Sequence, residues 1–109
     1  MAKTVSVLIV DDEDILRNLL KSELEQYHYQ VDTAESGETG MEKVMEKRFD
    51  LIILDIRMPG MDGLEVLKKI REQDLADKVI MLTGVDELKI ARDSLQLGAN
   101  DFLTKPYDK

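Results

Sequence analysis

Two apolar runs that end in carboxylates constrain this chain more than any other feature. Val5-Ser6-Val7-Leu8-Ile9-Val10 runs straight into Asp11-Asp12, and Leu51-Ile52-Ile53-Leu54 runs into Asp55. Short aliphatic runs without polar alternation read as strands buried on both faces, the condition of a parallel sheet covered by helices. Val79-Ile80-Met81-Leu82-Thr83 is a third such run, and Tyr29 to Thr33 and Asp101 to Thr104 are shorter strand candidates. Between them, apolar residues recur at helical spacing: Ile15, Leu16, Leu19, Leu20 and Leu24; Met41, Val44 and Met45; Leu64, Leu67 and Ile70; Leu88, Ala91 and Leu95. Gly98 stands where a glycine would close the last helix. Strands joined by helices must pair in parallel through right-handed crossovers. The pattern therefore predicts one α/β domain, four βα units and a fifth strand, wound as a parallel sheet with helices on both faces.

The chain has 109 residues and a formal net charge of -8, from 23 Asp and Glu against 15 Lys and Arg. Such a surface repels phosphate backbones, which argues against direct nucleic-acid binding by this chain. The apolar runs are far shorter than the ~20 residues of a membrane span, and the N-terminal stretch is too short for a signal peptide, so a cytoplasmic location is expected. There is no Cys and a single His, His28. That removes disulfide, thiolate and Cys-based zinc chemistry, and His28 reads as a solvated helix-terminal residue.

In an open parallel sheet, sites form beyond the carboxyl ends of the strands. The strands here end in Asp11-Asp12, Asp55, Thr83-Gly84 and Thr104-Lys105-Pro106. Taken singly, the acidic pair reads as helix capping, Thr83 as an ordinary strand-end threonine and Lys105 as a surface lysine. Taken together, three carboxylates, a hydroxyl and an ammonium converge on one edge. Clustered carboxylates oppose one another's ionisation. A hard divalent cation with oxygen ligands and retained waters removes that cost, which points to magnesium, with manganese as a substitute. Asp11-Asp12-Glu13-Asp14 lacks the alternating ligands and glycine of a calcium loop.

With these residues assembled, the sequence resembles the receiver domain of two-component response regulators. The resemblance rests on Val10-Asp11-Asp12-Glu13, Leu54-Asp55-Ile56-Arg57-Met58-Pro59-Gly60-Met61-Asp62-Gly63, Leu82-Thr83-Gly84 and Gly98-Ala99-Asn100-Asp101-Phe102-Leu103-Thr104-Lys105-Pro106, in order and at the family's intervals. It implies a flavodoxin-like five-stranded sheet in the order 2-1-3-4-5. It implies Asp55 as phosphoacceptor, attacking a phosphohistidine of a histidine kinase or phosphotransfer protein. Asp12, Asp55 and the Arg57 backbone carbonyl would hold Mg2+ directly, and Asp11 through a water. Lys105 and Thr83 would act as catalytic partners. Thr83 and Phe102 would form the switch, although Phe102 reads equally as core. Gly84, Arg57 and Val85 match positions that govern access and phosphoryl lifetime. The output would be read from the surface of the fourth helix and fifth strand by an output domain or target protein. The Lys105-Pro106 bond matches one that is usually cis.

Two other readings use the same residues. An aspartate-nucleophile phosphatase would want an Asp two residues past Asp55, where this chain has Arg57. An unphosphorylated interaction module would keep the fold without needing all the site groups. The resemblance also expects a fifth helix beyond Lys105-Pro106, whereas the sequence ends at Lys109. The expectation is a receiver domain over residues 1–109, truncated after its fifth strand. The apolar strip left open would be exposed, or filled by a homodimer, a swap or a partner helix.

Overall fold

The computed structural model describes residues 4–105. Five strands form one parallel sheet in the order β2-β1-β3-β4-β5. The elements run β1 Ser6–Val10, α1 Asp14–Gln26, β2 Gln30–Ala34, α2 Gly37–Glu46, β3 Phe49–Asp55, α3 Gly63–Glu72, β4 Ala76–Thr83, α4 Leu88–Gln96 and β5 Asp101–Thr104. A single 3-10 turn, Val85–Glu87, joins β4 to α4. The architecture and strand order are those expected from the sequence. No helix among the described residues is long and apolar enough to cross a membrane.

The sheet divides the core into two unequal parts. On one face Leu8, Val10, Ile52, Leu54, Val79 and Met81 meet Val44 of α2, Val66, Leu67 and Ile70 of α3 and Ala91 of α4. On the other, Val7, Ile9, Val31, Ile53 and Leu82 meet Leu16 of α1, with Leu20 and Leu24 partly buried. Among the described residues α1 is the only α-helix whose side chains join this second cluster. Towards β5 the same sheet ends in Leu103, 51% exposed.

Helix faces differ in detail from the sequence reading. In α1 the buried stripe is Leu16, Leu20 and Leu24, spaced four apart, whereas Ile15 and Leu19 turn to solvent. In α4, Ala91 and Ser94 are buried and Leu88 and Leu95 exposed; Ser94 is accommodated because its hydroxyl donates to the Ala91 carbonyl. β4 begins three residues earlier than its apolar run, because Ala76 pairs with Phe49 and Lys78 with Leu51. Pairing with a neighbouring strand, not hydrophobicity, sets that end.

Two local devices hold the loop after β3. Asp62 caps α3 through a capping box: its carboxylate accepts from the Glu65 amide at 3.0 Å, and its own amide donates to the Glu65 carboxylate at 3.4 Å. Gly63 then folds back against the end of β3, donating its amide to the Ile56 carbonyl at 2.8 Å. A Cβ here would stand 2.1 Å from the Asp55 carbonyl oxygen and 2.8 Å from Ile56 Cα, both backbone atoms that cannot move aside cheaply. Met58, buried in the larger cluster, and Met61, packed against it, tie the loop down.

Gly63→Ala should therefore lower the thermal midpoint by several degrees, because overpacking against backbone is among the costlier changes. A circular-dichroism melt measures it; an unchanged midpoint would mean that the loop is not held by this close approach.

Candidate functional site

The ends of β1, β3 and β4 and the residue after β5 surround a cleft of about 620 Å3, lined by Asp12, Glu13, Asp55, Arg57, Gly84, Glu87 and Lys105 together with Met58, Pro59 and Asp86. Asp55 is the last residue of β3 and is 1% exposed. Asp11 follows β1, is fully buried, and receives the Glu13 amide on Oδ1 at 2.8 Å. Its other oxygen, Oδ2, has no hydrogen-bond partner, and Lys105 Nζ stands off at 3.9 Å. Asp12 is exposed. One carboxylate oxygen from each of Asp11, Asp12 and Asp55 falls within 4.8 Å of the others.

These groups can gather because the backbone carries them there. β1 and β3 are adjacent, Val10 opposite Leu54, so the residues that follow arrive at the same edge. Among the described residues the only cation reaching the group of carboxylates is Lys105, which donates to Asp55 Oδ2 at 3.3 Å and to Glu13 Oε1. Its own position is fixed by its amide, which donates to the Thr83 carbonyl at 2.8 Å.

The electrostatics follow from this crowding. Burial, then the charge of Asp11, raises the Asp55 pKa from the usual 3.8 to about 7, against the pull of Lys105. Burial also raises Asp11, opposed by the Glu13 amide and by Lys105. Burial acts against the charge on Lys105, but the hydrogen bond to Glu13 and the charges of Asp55 and Asp11 hold its pKa above the usual lysine value. The site is short of positive charge. A buried carboxylate oxygen without a partner, beside two further carboxylates, is an all-oxygen donor set that fits a hard divalent cation.

The other residues named from the sequence fall at different distances from this centre. Thr83 ends β4 and is buried, with its hydroxyl donating to the Gly84 carbonyl at 3.1 Å. It is not among the residues lining the cleft, whereas Gly84 is. Phe102 lies in β5, partly buried and packed against the larger cluster. Arg57 lines the cleft, but Val85, 55% exposed, does not appear in the lining. Arg57 pairs instead with Glu87. Glu13, which holds Lys105, figures in the sequence reading only as part of the acidic run after the first strand, and Glu87, which holds Arg57, does not figure in it; both lie near a strand end, which is the available signal. Pro106, and with it the Lys105-Pro106 bond, lies outside the described residues.

Comparison with known proteins agrees with the geometry. The family described as the response regulator receiver domain matches residues 7–109. The alkaline phosphatase synthesis transcriptional regulatory protein PhoP of Bacillus subtilis is 43% identical over 101 residues, covering 93% of this chain and 42% of that protein. The transcriptional regulatory protein ResD of the same organism is 42% identical, with 93% and 42% covered. The chain thus spans less than half the length of these relatives. Among solved structures, chemotaxis protein CheY4 of Vibrio cholerae matches with a TM-score of 0.88 at 32% identity, over 97% of this chain and 90% of that one. A CheY-like receiver domain protein of Methanospirillum hungatei gives 0.88 at 33% identity, over 97% and 85%.

The raised Asp55 pKa has a consequence for stability. In the unfolded chain Asp55 loses its proton near pH 3.8, and in the folded protein near 7. Between those values the folded state binds more protons, so stability contributed by Asp55 is present below pH 4 and falls as pH rises towards 7. The loss amounts to roughly 4 kcal/mol at most. In chelator, unfolding should therefore be easier at pH 8 than at pH 5. Asp55→Asn should flatten that slope and raise stability at pH 8; a slope unchanged in denaturant titrations of the variant would contradict the crowding.

Proposed function

The chain belongs to the response regulator receiver domain family, and from that premise we propose that it is a phosphoacceptor switch in which Asp55 takes a phosphoryl group from a phosphohistidine of a histidine kinase or phosphotransfer protein. The single observation that carries this reading is the position of the Asp55 carboxylate: buried at the end of an apolar strand, open to the cleft, and within hydrogen-bond reach of Lys105.

In the step, an Asp55 carboxylate oxygen attacks phosphorus and the phosphorus–nitrogen bond of the donor breaks, so that imidazole leaves with the electron pair. An aspartyl phosphate results. Phosphoryl transfer asks the protein mainly for positioning and charge compensation. Lys105, already at 3.3 Å, moves its ammonium with the charge from the carboxylate to the phosphoryl oxygens. Asp55 ends strand β3, and Gly63 lets the following loop fold back closely against its backbone. Asp12 and Asp55, with the Arg57 carbonyl and with Asp11 through a water, would hold Mg2+. The ion, when bound, neutralises the carboxylates and the incoming phosphoryl charge. The chain acts on itself only: the acyl phosphate is later hydrolysed by water, returning the Asp55 carboxylate and inorganic phosphate.

The switch would read that charge through Thr83. Its hydroxyl now donates to the Gly84 carbonyl. Re-aimed at the phosphoryl group, it would release that carbonyl and open space for Phe102, which sits one strand over with Met81 as its register partner. The surface altered is that of α4 and β5, read by an output domain or target protein. The relatives PhoP and ResD are transcriptional regulatory proteins by name, which favours an output at the level of transcription, exerted outside this acidic chain. A cytoplasmic location fits this role.

Incubation with magnesium and a small phosphodonor should add one phosphate by intact mass, with the adduct labile in base and lost in Asp55→Asn. Lys105→Ala should slow its formation by about tenfold or more, the range for losing a charged group that acts on the transition state. Absence of any adduct on the unmodified chain would overturn the reading in favour of an unphosphorylated interaction module.

A further inference from the structure

The cleft contains a contact between Glu87 and its neighbours that the proposed phosphoryl transfer does not use. Glu87, at the end of the 3-10 turn after β4, turns its carboxylate back across the cleft mouth. One oxygen, Oε1, accepts a hydrogen bond from the Gly84 amide at 3.3 Å, and the other, Oε2, accepts from Arg57 Nε. The Glu87 side chain is 11% exposed, although its guanidinium partner is on a side chain 74% exposed. A surface ion pair would leave both ends in water. Here the carboxylate is withdrawn into the site and the cation follows it from outside.

Three residues that line this cleft with Asp55 carry donors of the kind a tetrahedral anion takes: the Lys105 ammonium, 3.3 Å from Asp55, the Gly84 amide and the Arg57 guanidinium. Glu87 engages two of them, while Glu13 shares the third. The contact also spans the chain, joining the loop after β3 to the turn after β4, 30 residues apart.

We propose that Glu87 is a resident anion: its carboxylate holds the Gly84 amide and the Arg57 guanidinium in the unphosphorylated state, and it must release both before a phosphoryl group can seat on Asp55. This rests on the reading of Asp55 as phosphoacceptor. Glu87 acts through Gly84 and Arg57 and touches no reacting atom, so it is a positioning and autoinhibitory group. Its release frees the turn that leads into α4, which couples occupancy of the cleft to the surface proposed to carry the output.

The test uses the full chain with excess magnesium and phosphoramidate as donor. The Asp55 carboxylate attacks phosphorus, the phosphorus–nitrogen bond breaks and ammonia leaves, giving a one-phosphate adduct counted by intact mass. Glu87→Gln keeps the side chain's shape and Glu87→Ala empties the position; thermal midpoints establish that both fold. Both should form adduct roughly threefold to tenfold faster than the unmodified chain, the range for losing one charge-assisted contact of ordinary strength. In an Arg57→Ala background the gain from Glu87→Gln should shrink, since the two residues act as a pair. The Gly84 amide resonance of unphosphorylated Glu87→Ala should shift towards its position in the phosphorylated protein, which a merely structural role would not produce. Asp86→Asn makes the same change of charge at the same cleft, so an equal acceleration there would overturn the proposal in favour of general electrostatics. Equal rates in the unmodified chain and both Glu87 variants would overturn it alone. No adduct on the unmodified chain would overturn the phosphoacceptor reading, and this proposal with it.

Discussion

The structure depends on a repulsion that its strands do not allow to relax. Asp11 and Asp55 are buried side by side at the ends of adjacent strands, Asp12 joins them, and the ammonium of Lys105 is shared with Glu13. Left to themselves, carboxylates at such spacing would separate or keep their protons. The backbone prevents the first: β1 and β3 are locked in register from Val7–Leu51 to Val10–Leu54, and their side chains form the centre of the core on both faces. The second fits the pKa of Asp55, raised to about 7 first by burial and then by the charge of Asp11. Hydrophobic burial elsewhere thus stabilises a charge arrangement that is unfavourable where the chemistry is.

That arrangement explains why the site answers to charge. Any added positive group near Asp11 Oδ2 relieves the cluster, and any rearrangement of negative charge, from carboxylate to phosphoryl oxygens, redistributes the hold on Lys105. The pocket is also internally paired, with Glu13 on Lys105 and Glu87 on Arg57. A site whose donors are already engaged responds to a new anion by exchange of partners. In the proposed switch, the contacts that would exchange lie on the segments that lead into α3 and α4.

The fold was legible in the sequence because its determinants are local and repeated. The runs Val7 to Val10 and Ile52 to Leu54 are buried as their composition requires, and carboxylates at their ends fall on one edge by the geometry of parallel strands. The start of β4 at Ala76 was not legible, because Ala76-Asp77-Lys78 is a strand only through its pairing with β3. The faces of α1 and α4 were misjudged where apolar residues flank the true stripe, as Ile15 and Leu19 do. The core of the candidate site, Asp11, Asp12, Asp55 and Lys105, was legible, but Glu13 and Glu87 were not. Each depends on contacts far apart in sequence: Glu13 meets Lys105 across 92 residues, and Glu87 meets Arg57 across 30. Charged side chains on exposed turns carry no periodicity that would reveal such a meeting.

The central claim is that crowded carboxylates, short of one compensating cation, define this site. The most direct measurement is the thermal midpoint at neutral pH as magnesium is titrated into chelated protein. The account predicts a rise with magnesium that follows saturable binding to the folded state, about 2.7 kcal/mol at one hundred times the dissociation constant. The rise should be largely lost in Asp12→Asn. A midpoint indifferent to magnesium, or one that rises equally in Asp12→Asn, would contradict the account.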